Sequence, residues 1–177
     1  VSAGMGFDAA VCCVASASRL RGIMGRLGLG NFLFSSWTLP GGRMPVQPGY
    51  ILLDGVKKVE FNHILFISCH IQPSEGGGFV FAPRADGSDG RMNVCVVSHS
   101  SRKRLICDAA ALTGRFKKHK GARMFECREV SIHTDAPLPI HVDGEFCGTQ
   151  TDLRADAFRG RSEWGYNTAV PAGNMNC

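Results

Sequence analysis

No stretch of this chain is long and apolar enough to span a bilayer. The longest uncharged run, Leu27 to Gly42, is broken by Gly28, Gly30, Pro40 and Gly41 and falls short of the roughly 20 apolar residues a crossing helix needs. No signal peptide is legible, and no two cysteines form a CxxC pair. The eight cysteines are scattered, and the adjacent Cys12 and Cys13 have poor geometry for a shared metal. Most lie in apolar runs such as Val94-Cys95-Val96-Val97, so buried thiols are expected rather than disulfides. Leucine does not dominate, and no segment repeats at a fixed period. The chain opens on Val1 rather than Met, and the expectation is that its true start lies upstream.

What is present describes a globular domain. The 177 residues are 44% hydrophobic and 20% charged, which excludes a disordered or fibrous chain. A chain this long buries roughly 70% of its unfolded surface, enough for a core without staples. Its 22 glycines favour many turns and short strands over a helical bundle. The net charge of +5 suits anionic phosphates or lipid headgroups without requiring either.

Hydrophobic periodicity divides the chain. Residues 1–44 read as a helical entrance segment after a short extended start. Asp8 stands before the Ala9–Ala17 run, where a carboxylate caps a helix. Leu20, Ile23, Met24 and Leu27 form one helical stripe, and a second helical piece covers Asn31 to Leu39. Residues 45–164 read as strands. Tyr50–Leu53 and Val56–Phe61 flank an Asp54-Gly55 turn. Asn62–Ile71 reads as one buried strand, followed by Phe79–Phe81 and Arg91–Ser98. Further short strands follow at Phe125–His133, Pro139–Val142, Glu145–Cys147 and Thr151–Phe158, and Arg102–Leu112 is an inserted helix. The tail, 165–177, has no pattern. The expected fold is mainly β: an antiparallel β-sandwich with N-terminal helices and one inserted helix.

The stretch Pro137 to Gly148 is the most informative. Its Asp143-Gly144 turn puts two carboxylates, Asp143 and Glu145, at one hairpin tip. Such a pair can hold a divalent cation, accept a proton from a hydroxyl, or simply decorate a solvated turn. Gly76-Gly77-Gly78 precedes a strand-like Phe79-Val80-Phe81 with no Lys-Ser/Thr pair, so it reads as a backbone bend rather than a phosphate cradle. Seven Lys and Arg side chains fall between Arg102 and Lys120, either a solvated face or a contact with anionic headgroups. Aromatics are not interleaved with them beyond Phe116 and Phe125, which argues against nucleic acid. His141, inside a strand, reads as a packed or surface residue rather than a ligand.

Four segments, in order, resemble the C-terminal half of the diacylglycerol kinase catalytic family, which includes bacterial lipid kinases and sphingosine kinases. They are Val1–Ala9, Glu75–Phe79 with Pro83 and Asp89-Gly90, Gly114–Lys118 with His119, and Pro137–Gly148. The resemblance implies the β-sandwich domain of a two-domain, NAD kinase-like architecture whose active site lies between the domains. It implies transfer of the γ-phosphate of ATP to a lipid hydroxyl, a diacylglycerol-like substrate, and a cytoplasmic protein held peripherally at a membrane. The family's Gly-Gly-Asp-Gly-Thr motif is absent, so this chain is expected to be an incomplete catalytic unit without the N-terminal ATP-binding domain.

Carried over residue by residue, the resemblance makes Glu145 the proton acceptor and has Asp143 organise Mg²⁺ or water. It makes Asp8 a contact to the lipid head. It implies a Mg²⁺ or Ca²⁺ at Asp86–Arg91, held by the Asp89 carboxylate and the carbonyls of Asp86 and Arg91; Arg91 stands where relatives carry an apolar residue. Lys117, Lys118 and Lys120 are the expected membrane contacts. A homodimer is left open. Two other readings stand beside the kinase: a lipid-binding module of the same fold without phosphotransfer, and an NAD kinase-like enzyme with a soluble substrate.

Overall fold

A computed structural model describes residues 2–17, 46–73, 82–98 and 121–157. The expected helices over Asn31–Leu39 and Arg102–Leu112, the Phe79–Phe81 strand and the tail lie outside the described residues. In chain order come β1 (Ser2–Gly6), α1 (Phe7–Ala17), β2 (Gln47–Leu53), β3 (Lys57–Ile64), β4 (Phe66–His70), β5 (Met92–Val97), β6 (Ala122–Cys127), β7 (Glu129–Val142) and β8 (Glu145–Asp156). All pairings are antiparallel, in the order β3-β2-β7-β1-β4-β5-β6 with β8 on β7.

The long β7 explains the shape. Its first half pairs with β2, from Val130 opposite Leu53 to Thr134 opposite Gly49. Its second half pairs with β1, Ile140 opposite Met5 and Val142 opposite Ala3. The 12-residue β8 runs along the other edge of both halves. One hairpin therefore serves two blocks of strands, and the sheet curls over on itself. The expected antiparallel sandwich is present, built from a single curled sheet.

Where the strand boundaries differ from expectation, backbone bonding supplies the reason. Asn62–Ile71 is two strands, because Leu65 bonds outside the β2–β3 ladder. Its N–H donates to the Val97 carbonyl at 2.8 Å, and its carbonyl accepts the Phe7 N–H at 3.0 Å. The chain thus leaves β2 and enters between β1 and β5. The Phe125–His133 segment breaks at Arg128, between β6 and β7. Pro137 and Pro139 do not end a strand; Pro137 lies within the irregularity between His133 and Leu138, where β7 changes partner, and Pro139 borders a second one before His141. The buried Thr134 hydroxyl donates to the Ala136 carbonyl there, at 2.9 Å. Prolines fit because a bulge releases ladder N–H groups. Glu145–Cys147 and Thr151–Phe158 are joined into β8 through Gly148, whose φ is +101°.

The two faces of the central strands differ. Ile140, Met5, Ile67 and Val96 are successive register partners and point into one core with Ile51, Ile132 and Leu153. Each such burial contributes about 1.5–3 kcal/mol. The residues between them, His141, Gly4, Ser68 and Cys95, are also register partners and by alternation face the opposite way. That second face is buried as well, and α1 packs on β1 and β7. The site is built there.

Candidate active site

α1 begins at Phe7, two residues earlier than the Ala9–Ala17 run suggested, so Asp8 lies inside the first turn rather than before it. A carboxylate there still faces the helix's exposed N–H groups and positive end. Asp8 Oδ1 accepts the Ala9 N–H at 2.8 Å, and Oδ2 lies 3.2 Å from His141 Nε2. Both side chains are buried, at 10% and 1% exposure. The pair occupies the space above Gly4, where a Cβ would collide with Asp8 Oδ2 and His141 Nε2. His141 Nδ1 accepts the Gly144 N–H at 3.3 Å.

Gly144 belongs to the hairpin turn. Asp143 has φ 49° and Gly144 φ 81°, the two left-handed positions of a type I′ turn, which suits the twist of paired strands. Val142 and Glu145 close the ladder on either side. Asp143 also extends the pairing with β1: its N–H donates to the Ser2 carbonyl at 2.8 Å, and its Oδ1 accepts the Ser2 N–H at 2.7 Å. At least one Asp143 oxygen is therefore committed to the fold. Glu145 is exposed at the start of β8. Thus Asp8, far away in sequence, shares one corner of the sheet with Asp143 and Glu145.

Sequence reasoning missed the polar layer beneath them. Ser68 and His70 are each 1% exposed, with the Ser68 hydroxyl 2.9 Å from His70 Nε2. Burial pushes His70 down to about 4, only partly offset by the nearby Asp8 carboxylate, so the ring is neutral at physiological pH. The available signal was the period of two: Ser68 and His70 fall on one face of β4, and Gly4 is the residue that leaves room across the ladder. Of the two places expected for His141, packed or at the surface, the structure shows the packed one.

The Asp86–Arg91 loop is a separate feature. Asp86 Oδ1 accepts the Ser88 N–H at 2.9 Å, and Asp89 Oδ1 accepts the Arg91 N–H at 2.7 Å. The Ser88 bonds hold the Asp86 carboxyl below its usual range. The Asp89 carboxylate and the nearby carbonyls are hard oxygen donors, the kind Mg²⁺ and Ca²⁺ take; here one Asp89 oxygen accepts the Arg91 N–H, and the Asp86 carbonyl accepts the Asp89 N–H at 3.3 Å. The Arg91 guanidinium turns away to Glu126, at 2.9 Å, which offsets the local positive charge. Ser2 pairs with His70 and His70 with Asn93, so the loop and the Asp143 turn lie at the same end of the strands. They are separated by β1 and β4, roughly 14 Å at the usual strand spacing. Among the described residues, no three His, Cys, Asp or Glu side chains cluster as a metal-binding set.

Lys117, Lys118 and Lys120 lie outside the described residues. Among the described residues, no helix is long and apolar enough to cross a membrane. Cys69, Cys95 and Cys127 are buried free thiols, as expected, and burial pushes Cys95 and Cys127 up to about 12, which makes them poor nucleophiles. Cys13 departs from that expectation: it is disulfide-bonded.

Residues 45–156 match the model of the YegS C-terminal NAD kinase beta sandwich-like domain. The chain belongs to that family. A Bacillus subtilis (strain 168) protein named as a candidate lipid kinase, YtlR, is 29% identical over 93 residues, 51% of this chain and 29% of its own length. The fold is similar to that of a candidate diacylglycerol kinase from Bacillus anthracis str. Sterne, with TM-score 0.64 and 16% identity, covering 89% of this chain and 49% of the other. A further crystal structure described as a diacylglycerol kinase from that organism gives TM-score 0.54 and 14% identity, covering 90% and 46%. This YegS-type domain therefore spans about half the length of those structures and less than a third of the B. subtilis protein.

Proposed function

We propose that this domain forms the substrate side of an ATP-dependent lipid kinase acting on a diacylglycerol-like hydroxyl, with Glu145 as the proton acceptor. The observation that carries the reading is an exposed carboxylate presented by a type I′ turn, in a domain family with relatives named as lipid kinases. An alcohol is a poor nucleophile. A carboxylate beside it takes the proton as the lipid oxygen bonds to the γ-phosphorus and the bond to the ADP oxygen breaks. In this reading ATP is held mainly by the N-terminal domain of the two-domain architecture that the resemblance implies. Asp8, on the same corner, borders the lipid head, and Asp143 orders the turn and its water. A Mg²⁺ or Ca²⁺ at Asp86–Arg91 supports the loop. The basic residues Lys117, Lys118 and Lys120 meet the anionic membrane surface.

The experiment uses the full-length protein, with labelled ATP and diacylglycerol in mixed micelles. Wild-type protein transfers phosphate to the lipid, and Glu145→Gln lowers kcat by roughly 10²-fold or more. Unchanged turnover by that variant removes Glu145 from the role. The family's relation to NAD kinases supports a second reading, a soluble dinucleotide acceptor. Transfer to NAD but not to lipid decides for it, and lipid binding without any transfer decides for a non-catalytic module.

A further inference from the structure

We propose that His141 is a positioning residue, locked in a single tautomer, that ties the Asp143-Gly144-Glu145 turn to the first turn of α1. The catalytic consequence rests on Glu145 acting as the base; the lock itself does not.

Donor and acceptor chemistry specifies the tautomer. The Gly144 N–H can only donate, so Nδ1, 3.3 Å away, carries no proton. The ring's proton therefore sits on Nε2, which faces the Asp8 Oδ2 acceptor at 3.2 Å. A doubly protonated ring would set Nδ1–H against the Gly144 N–H. Neither end of this link is loose. The other Asp8 oxygen is held by the Ala9 N–H at 2.8 Å, in a helix turn whose dipole favours the anion. On the sheet side, the bare Cα of Gly4 leaves the room in which ring and carboxylate meet, since a Cβ there would collide with both. The ring is 1% exposed, so water does not compete for either nitrogen. His70, neutral on the same face, adds no charge to the pair.

A continuous link results: the α1 backbone, Asp8, the His141 ring, the Gly144 amide, and then Glu145. Backbone pairing of Asp143 to Ser2 fixes one side of the turn. His141 fixes the residue between the two carboxylates. An exposed glutamate at a hairpin tip would otherwise move with its turn, and a displacement of about 1 Å at a reacting group costs up to about 10²-fold in rate.

Two isosteres divide the link. His141→Asn keeps an acceptor near the Nδ1 position for Gly144 but loses the donor to Asp8. His141→Gln keeps a donor near the Nε2 position but loses the acceptor. The test applies nitrogen NMR to full-length protein carrying labelled histidine, and steady-state kinetics to both variants, with thermal melting as the folding control. The expected result is an Nε2–H ring in the wild type. Both folded variants should lose kcat by roughly 10- to 100-fold while KM for the lipid is retained. A wild-type ring protonated on Nδ1, or on both nitrogens near neutral pH, overturns the lock. Folded variants with wild-type kcat overturn the positioning role. If wild-type protein transfers no phosphate to lipid, the kinase reading fails by itself, and the nitrogen spectrum still decides the lock.

Discussion

Gly4 and His141 are register partners in β1 and β7, and the ring of His141, with the carboxylate of Asp8, fills the space a side chain at Gly4 would take. This glycine serves packing, not a turn. Its lack of a Cβ lets a helix-borne carboxylate reach a strand-borne imidazole through a buried layer.

Gly4→Ala should therefore destabilise the domain by about 1–3 kcal/mol, the usual cost of forcing atoms into a filled site. Gly87→Ala is the control, since a Cβ there meets only the Ile71 carbonyl at an ordinary 3.5 Å. Urea unfolding of both variants checks the contrast. Equal stability of the two would mean that the Asp8–His141 pair yields to a methyl group.

Acid should weaken the fold through His70. Its ring is held neutral by burial, its pKa lowered from 6.5 to about 4. Below pH 6.5 the unfolded chain takes up a proton at this ring that the folded chain refuses. Stability from this residue is present in full above pH 6.5 and declines as pH falls toward 4, by on the order of 3 kcal/mol in all. His70→Gln should flatten that part of the profile, measured as urea midpoints between pH 7 and pH 4. A variant profile parallel to wild type would assign the acid loss to other groups.

The Asp86–Arg91 loop should respond to cations. Millimolar Mg²⁺ or Ca²⁺ is expected to raise the melting temperature, since a ligand at a hundredfold excess over Kd contributes about 2.7 kcal/mol. Asp89→Asn should remove most of the rise, and Asp143→Asn should leave it. Glu126→Gln should weaken it, because the Arg91 guanidinium would lose the carboxylate that holds it at 2.9 Å. A response lost in Asp143→Asn and kept in Asp89→Asn would move the cation to the hairpin.

Much of the architecture was legible in the chain because it depends on neighbours in sequence. Asp54-Gly55 and Asp143-Gly144 both form left-handed turns, with φ of 51° and 69°, and 49° and 81°, because Asp and Gly tolerate that conformation locally. The β character expected for 45–164 followed from alternation and holds in the described strands β2 to β8, and the carboxylates at the Asp-Gly-Glu tip were visible from spacing alone. The break at Leu65 was not visible. The apolar run through it reads as one strand, and only bonds to Val97 and Phe7 divide it. The continuity of β7 through Pro137 was also hidden, since a proline ends a strand unless a bulge absorbs it.

The sequence by itself determined the turns, the alternation of core and outward residues, and the chemical character of Asp143 and Glu145, all set by interactions within a few residues. Only the tertiary structure decided that Asp8 meets His141 across 133 positions, that Ser68 and His70 lie buried on the same face, and that β7 serves two partner strands in turn. The physical reason is the curl of the sheet. Long-range register follows from how whole strands share edges and where a helix covers a face, and no window of local sequence carries that information.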